Sequence, residues 1–257
     1  MTNIGMSMES NPTDSARAAV SAPTLSLPQP QRRGIFVRRV NRFAVEVKVD
    51  GRPTLAHLPN SGRMTELLAP GRQVVLTERG TTGRKTAFDM LLVQYEGHWV
   101  SVDSRLPSAL AFQALRMRAL APWSQYDRVR REVAYFESRL DLELWQGDSR
   151  CLIETKSVNL VRDGCALFPD APTSRGTRHL RTLMRAKENG IDAGVLFVVQ
   201  RDDAVRLAPF SAADPLFGHT LREAVAAGVE ARAYVCSVQP QVISLGREIP
   251  VCLDSLV

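Results

Sequence analysis

The sequence predicts a small β-barrel of the OB type followed by a mixed-sheet α/β domain. Between Gly34 and Asp103, short segments rich in β-branched residues alternate with turns that contain Gly and Pro, which is typical of a small barrel. After Arg105, segments with strand periodicity alternate with segments of helix periodicity, which favours an α/β domain. A length of 257 residues accommodates two modest domains.

The first half divides into a tail and the barrel. Residues 1–31 are rich in Ser, Thr, Pro and Ala and lack apolar periodicity, so we predict a disordered tail there. Residues 32–104 are predicted to form the five-stranded OB-like domain. Its strands are expected at Ile35–Val40, Phe43–Val49, Gln73–Thr77, Phe88–Val93 and Trp99–Val102.

The second half begins with a helix predicted over Arg105–Leu120, which we assign to a connector spanning residues 105–125. Residues 126–257 are predicted to form the α/β domain. Its helices are expected at Thr173–Asn189 and from Asp214 to Ala227. Its main strands are expected at Val129–Tyr135, Leu140–Trp145, Cys151–Val158, Ala193–Gln200, Val205–Phe210 and Val229–Ser237.

Composition narrows the class of protein. Lys and Arg number 33 against 27 Asp and Glu, a net charge of +6, and most of the positive charge is arginine. This favours polyanionic partners, and the alternative is a high-GC genome that encodes arginine freely. No apolar run approaches the ~20 residues that a membrane helix needs. The four cysteines show no C-x-x-C pair, which favours free thiols over a zinc site or disulfides. We therefore expect a cytoplasmic protein without a membrane partner, and its oligomeric state stays open.

The most informative segment is 138–158, where two predicted strands flank a Gly-Asp turn. Because side chains alternate along a strand, Glu154 and Lys156 share one face of the second strand. If the strands pair as a hairpin, Asp141 of the first strand lies beside Glu154. The opposite face is expected to be buried by Leu140, Leu142 and Leu144.

Two carboxylates and a lysine on one patch of sheet predict a metal site for phosphodiester chemistry. Mg²⁺ (or Mn²⁺) prefers oxygen ligands and retains waters when it binds a phosphate substrate. Asp141 and Glu154 are the predicted metal ligands. Lys156 is predicted to orient the attacking water or to stabilise charge on the phosphate. The alternative is an ordinary edge strand whose Glu–Lys pair faces solvent.

Three long stretches resemble the sugar fermentation stimulation protein family. They are HLPNSGRMTELLAPG at 57–71, ETKSVNL at 154–160 and FPDAPTSRGTRHL at 168–180. The resemblance extends over residues 32 to 253 and implies an OB-like domain followed by a domain similar to PD-(D/E)XK nucleases. It also implies DNA binding, with suspected nuclease activity. The pattern of that superfamily, an Asp followed by Glu-x-Lys on the next strand, falls on Asp141, Glu154 and Lys156.

Ser174 departs from the family pattern, because the family usually has a Glu at this place. A Glu can assist a metal or a water, whereas Ser is a strong helix N-cap, and we expect Ser174 to cap the helix that follows. The alternative function is therefore a non-catalytic DNA-binding protein of regulatory type that retains the nuclease-like fold.

Basic side chains in both halves predict contacts to nucleic acid, with DNA the expected partner. Segment 31–103 carries 12 Lys or Arg against 7 Asp or Glu, and the helix near 173–189 has six basic side chains before its first acid. The alternative for that helix is a solvated face, and DNA against RNA stays open. The predicted contact residues are Arg38, Arg39, Arg63, Arg84, Lys85, Arg175, Arg178 and His179.

Overall fold

The chain folds into a β-barrel and a mixed sheet covered by helices. The computed structural model describes residues 22–80, 83 and 86–254. The strands of the first half are β1 (Thr24–Ser26), β2 (Gln31–Asn41), β3 (Ala44–Val49), β4 (Arg52–His57), β5 (Gln73–Glu78), β6 (Phe88–Tyr95) and β7 (His98–Ser101). The helices are α1 (Leu106–Arg116), α2 (Ser174–Glu188) and α3 (Pro215–Ala226), with a short 3₁₀ helix at Ala121–Trp123. The strands of the second half are β8 (Arg128–Tyr135), β9 (Ser138–Gln146), β10 (Ser149–Val158), β11 (Val161–Arg162), β12 (Cys165–Phe168), β13 (Asp192–Val199), β14 (Arg206–Pro209), β15 (Glu230–Gln239) and β16 (Val242–Ile249).

The OB-like barrel is confirmed, but one of its five strands differs from the prediction. The order β4-β3-β2-β5-β6 closes through pairing of β4 with β6, and β7 adds outside the ring. Strand β4 was missed, and the predicted fifth strand is β7. A tight turn joins β3 to β4, in which Asp50 and Gly51 have φ values of 50° and 77°, as a two-residue hairpin turn requires.

The second domain is built on a seven-stranded sheet in the order β1-β16-β15-β13-β10-β9-β8. Strands β10, β13 and β15 run parallel at its centre, and antiparallel strands complete both sides. Strand β13 is buried from its second residue to its last, because helices cover both faces of the sheet there. Helices α2 and α3 pack on one face and α1 on the other.

The predicted connector is a structural layer of the second domain. Helix α1 contributes Leu110 and Ala114 to an apolar cluster that also contains Leu142 and Ile153 of the sheet. The helix ends at Arg116, four residues before the predicted end. The helix lies on the sheet because only there is its apolar face buried.

The predicted tail is wrong for residues 22–31. Strand β1 pairs antiparallel with β16, and Leu27, which follows it, is 2% exposed. The first strand of the barrel also begins earlier than predicted, at Gln31. The rest of the predicted tail, residues 1–21, lies outside the described residues.

The barrel and the sheet are joined by specific contacts. Ser101 N donates to Gln200 O at 3.1 Å, and the guanidinium of the buried Arg201 lies 4.9 Å from the ring centre of Tyr95. Met64 N donates to the carboxylate of Asp170 at 3.1 Å. These contacts bring the turn after β4 against the second domain.

Two expectations from composition can be compared with the described residues. None of the helices there is long and apolar enough to cross a membrane. All four cysteines are free, as predicted, and three of them are buried.

Gly194 of β13 gives a test of the packing. A Cβ at this position would lie 2.6 Å from a ring carbon of Trp123, which is 3% exposed. We expect Gly194→Ala to lower the free energy of unfolding by about 1–3 kcal/mol through overpacking. Gly80→Ala, where a Cβ meets nothing within 4 Å, is the control. Equal stability of the two variants in urea would contradict the packing of Trp123 on β13.

Candidate functional site

The predicted hairpin between the two site strands is present. Strands β9 and β10 pair antiparallel from Gln146 with Ser149 to Leu142 with Ile153. The ladder ends there, one step before Asp141 would face Glu154. The pairing of β8 with β9 is also interrupted at this level, where Glu132 has a φ of 57°. Asp141 is therefore the point at which the regular pairing of β9 with β10 ends and that of β9 with β8 is interrupted.

Asp141 uses its carboxylate to bind the neighbouring strand. Its Oδ2 accepts hydrogen bonds from the backbone N of Thr155, at 2.8 Å, and from the Thr155 hydroxyl. Thr155 lies between the two site residues of β10, so these bonds hold Asp141 beside Glu154. No feature of the sequence alone indicated this role for Thr155.

The break at Asp141 changes which face Leu140 occupies. Leu140, Leu142 and Leu144 are all buried, as predicted. Leu142 and Leu144 pack in the cluster on the α1 side, whereas Leu140 packs with Leu180 of α2 on the other side. The prediction that all three share one face is therefore wrong, because it assumed unbroken alternation through Asp141.

Glu154 is a buried carboxylate with one oxygen engaged and one free of partners. It is 4% exposed, on the face of the sheet that α2 covers. Its Oε1 accepts hydrogen bonds from Lys156 Nζ, at 2.6 Å, and from His179 Nδ1. Its Oε2 is buried and has no hydrogen-bond partner. A buried carboxylate oxygen in this state is open to a water or a cation.

His179 connects Glu154 to the basic face of α2. Arg175 Nε donates to His179 Nε2 at 3.4 Å, and since arginine is always a donor, Nε2 is the acceptor nitrogen. The proton of the neutral ring therefore sits on Nδ1, where it is donated to Glu154. His179 is 1% exposed, so its side chain is not accessible for the predicted direct contact with nucleic acid. Nothing in the sequence indicated this burial, because His179 stands among basic residues that are exposed.

The two carboxyl groups are shifted in opposite directions. Burial, together with the negative charge of Glu154, raises the pKa of Asp141 above the ordinary range. Burial acts to raise the pKa of Glu154 too, but the charge of Lys156 and the hydrogen bond from His179 outweigh it. The pKa of Glu154 is therefore lowered. The fold therefore stabilises the ionised form of Glu154 and disfavours the ionised form of Asp141.

The donor set fits a cation that carries its own waters. In the part of the chain that the structure describes, no three His, Cys, Asp or Glu side chains are grouped to hold a metal. Mg²⁺ needs only one or two carboxylates, because it keeps several waters and shares phosphate oxygens with its substrate. Asp141 and Glu154 are the two carboxylates that could hold such a cation.

Arg39, a predicted contact to nucleic acid, is engaged by the carbonyls of the turn after β4. Its guanidinium donates to the carbonyl oxygens of Asn60, Gly62 and Arg63, at 3.3, 2.7 and 2.9 Å, and to that of Arg42 at 2.7 Å. Burial lowers the pKa of Arg39. Its donors are occupied in holding the turn after β4, and they leave little capacity for phosphate.

The other predicted contact residues are exposed or outside the described residues. Arg38 is ion-paired with Glu46 at 2.8 Å. Arg63, Arg175 and Arg178 are exposed. Arg84 and Lys85 lie outside the described residues.

The N-cap of α2 is Thr173, one residue before the predicted cap. Its hydroxyl accepts from Gly176 N at 3.0 Å, and Ser174 is the first residue of the helix. Ser174 is exposed, so the position where the family usually has a Glu faces solvent.

Comparisons with known proteins agree with this architecture. Residues 37–102 match the family model of the SfsA N-terminal OB domain, and residues 105–242 match that of the sugar fermentation stimulation protein RE domain. The chain belongs to the sugar fermentation stimulation protein family. A family homologue from Chloroflexus aurantiacus is 45% identical over 227 residues, which cover 88% of each chain. One from Moorella thermoacetica is 46% identical over 224 residues, 86% of this chain and 96% of the relative.

A solved structure of the same family has a similar fold. It is Pyrococcus furiosus SfsA in complex with Ca²⁺, which is 30% identical to this chain. The match has a TM-score of 0.81 and covers 89% of this chain and 98% of the other. The two-domain arrangement is therefore that of the sugar fermentation stimulation protein family.

Asp141→Asn is expected to stabilise the protein without metal at neutral pH. Since the pKa of Asp141 is raised, the fold disfavours its ionised form, and wild-type stability falls as pH rises from the ordinary Asp range through the raised value. Asn keeps an acceptor oxygen for Thr155 and carries no charge. The variant should be more stable than the wild type above the raised pKa of Asp141 and equally stable below the ordinary Asp range. Denaturant unfolding with chelator at several pH values measures this difference in the free energy of unfolding.

Glu154→Gln is expected to have the opposite effect. The pKa of Glu154 is lowered, so its contribution to stability is present above the ordinary Glu range and is lost as pH falls through the lowered value. The substitution leaves the buried Lys156 without its counter-charge, and we expect a loss of roughly 3–5 kcal/mol at neutral pH. Stability changes of the same sign in both variants would refute the division of charge between the two carboxyls.

Proposed function

We propose that the protein binds DNA and hydrolyses phosphodiester bonds with a divalent cation, Mg²⁺ or Mn²⁺. The observation that carries this proposal is the state of Glu154. One of its oxygens is held by Lys156 and His179, and the other is buried without a partner beside Asp141. A buried carboxylate oxygen without a partner is open to a water or to a cation, and its position near Asp141, a second carboxyl group, favours the cation.

Asp141 and Glu154 are the residues that hold the cation in this proposal. When bound, such a cation polarises a phosphate oxygen and lowers the pKa of a coordinated water. Support comes from the family member of Pyrococcus furiosus, whose structure is described as a complex with Ca²⁺. Like Mg²⁺, Ca²⁺ is a hard cation that prefers oxygen ligands.

Lys156 supplies positive charge where the phosphate gains negative charge. In the reaction, a water oxygen forms a bond to phosphorus, the bond to the leaving oxygen breaks, and that oxygen takes up a proton. Lys156 is 8% exposed and fixed by Glu154, so its ammonium group is oriented before substrate arrives. Preorganised charge of this kind lowers the barrier because little reorganisation is needed during the reaction.

The basic face of α2 is the proposed surface for the sugar-phosphate backbone. Arg178 and Arg181 are exposed and have no carboxylate partner in the described part of the chain. Both point away from His179 around the helix axis, and the exposed Arg175, which hydrogen-bonds His179, lies between them and the site. Arginine binds phosphate in bidentate fashion, so a backbone that passes from Arg181 and Arg178 to Arg175 reaches the site. Arg38 and Arg63 of the barrel domain are assigned to the same partner.

A non-catalytic DNA-binding protein is the second candidate. One observation favours it: Lys156 already compensates the charge of Glu154 and His179 donates a hydrogen bond to it, so the carboxylate is stabilised without a cation. In either case we place the protein in the cytoplasm, because its free cysteines suit a reducing compartment.

Cleavage assays separate the two candidates. Labelled single- and double-stranded DNA and RNA are incubated with the protein and Mg²⁺, Mn²⁺ or chelator. We expect cleavage of DNA that requires the metal. Lys156→Gln should keep metal binding, measured by calorimetry, and lower the cleavage rate by roughly 10²–10³-fold. Lys48→Ala, which removes an exposed lysine of the barrel, is the control. Binding without cleavage under all conditions selects the second candidate.

Salt dependence tests the basic face of α2. Each phosphate contact contributes a slope of about −0.7 to −0.9 in a plot of log affinity against log salt. The double variant Arg178→Ala with Arg181→Ala should therefore reduce the slope by about 1.4–1.8 and weaken binding about equally across sequences. Arg52→Ala, at an exposed arginine without an assigned contact, is the control. An unchanged slope in the double variant would remove α2 from the binding surface.

A further inference from the structure

A second binding feature lies on the opposite side of the sheet from Glu154. It is a cavity of about 420 Å³ over the outer side of α1, in the size range of small-ligand sites. Leu25 of β1 and Arg131 of β8 both line it, although these strands form the two edges of the seven-stranded sheet. Helix α1 contributes Phe112, Gln113 and Arg116.

The cavity combines a flat ring with two uncompensated positive charges. The guanidinium carbons of Arg116 and Arg131 lie 5.7 and 5.6 Å from the centre of the Phe112 ring. Both arginines are exposed, and neither has a carboxylate partner among residues 22–80, 83 and 86–254. Gln113 adds an amide that can donate and accept hydrogen bonds. Polar recognition groups thus surround an aromatic platform.

This chemistry matches a nucleotide better than other anions. A nucleobase stacks on aromatic rings and on arginine planes, and a phosphate accepts hydrogen bonds from the guanidinium forks. An acidic peptide would use the arginines but would leave the Phe112 ring without a specific partner. The charge and the ring together therefore favour a segment of single-stranded nucleic acid.

One lining residue of the cavity, Arg131, lies opposite the segment of β9 that carries Asp141. Arg131 is paired with Leu142, the neighbour of Asp141, and β8 is the edge strand there. The pairing of β8 with β9 is interrupted at the next position, so the edge is irregular between cavity and site. A strand of nucleic acid crossing this edge can reach both sides of the sheet.

We propose that Phe112, Arg116 and Arg131 form a nucleotide-binding subsite for single-stranded nucleic acid that also occupies the Asp141–Glu154 site. This inference rests on the proposed function, because it specifies that the nucleic-acid substrate of the Asp141–Glu154 site is single-stranded. It binds the base by stacking on Phe112 and the adjoining phosphate by Arg116 and Arg131. It acts in binding and takes no part in the bond-breaking step.

Binding of a labelled single-stranded oligonucleotide, with chelator present to prevent cleavage, tests the subsite. We expect Phe112→Ala to weaken affinity by about tenfold, in keeping with loss of one stacked base. Arg116→Ala with Arg131→Ala should reduce the salt slope by about 1.4. Leu216→Ala, which removes an exposed apolar side chain of α3, and Arg52→Ala are the controls. Circular dichroism checks that each variant is folded.

Phe112→Trp gives a direct reading that does not depend on loss of binding. Tryptophan emission, corrected for the three native tryptophans by the parent protein, should be quenched by the oligonucleotide and not by polyglutamate. Equal quenching by polyglutamate would overturn the proposal in favour of an acidic peptide. Unchanged affinity in the Phe112 and arginine variants of a protein that binds and cleaves would overturn the subsite and leave the proposed function standing. Quenching without any cleavage would support the subsite and contradict the nuclease.

Discussion

The site depends on the burial of one negative charge. Glu154 lies near the middle of the sheet under α2, where an uncompensated carboxylate would be strongly unfavourable. Lys156 compensates it from the same face of β10, and His179 reaches it from α2. The position of α2 on the sheet and the position of the two site residues of β10 are therefore coupled. Asp141 joins them only because its carboxylate is bonded to Thr155.

The barrel contributes to the same region through contacts that fix it against the sheet. Arg39 holds the carbonyls of the turn after β4, and Met64 of that turn donates to Asp170 of the second domain. The buried Arg201 links Tyr95 of the barrel with its own neighbour Asp203. These contacts hold the two domains against each other. The basic residues of both domains, which the proposed function assigns to nucleic acid, therefore keep a fixed spacing.

Local patterns predicted most of the fold and part of the site. Alternation located the hairpin that carries Asp141 and Glu154, since both strands have strong local signals. Strand β4 was missed because it contains Pro53 and little β-branched sequence, and β1 because three residues carry no period. Glu154 is 25 positions from His179, and the carbonyls of the turn after β4 are more than 20 positions from Arg39. Such contacts depend on packing, which short-range periodicity does not encode.

The irregular edge at Glu132 has a consequence for the behaviour of the chain at high concentration. An exposed edge strand is a template on which a second molecule can add its own strand, and this is a common route to aggregation. Strand β8 has a positive φ at Glu132 and exposed arginines along its length. A bend and repelling charges both oppose edge-to-edge pairing. The break in pairing that accompanies Asp141 thus also makes this edge a poor template for a further strand.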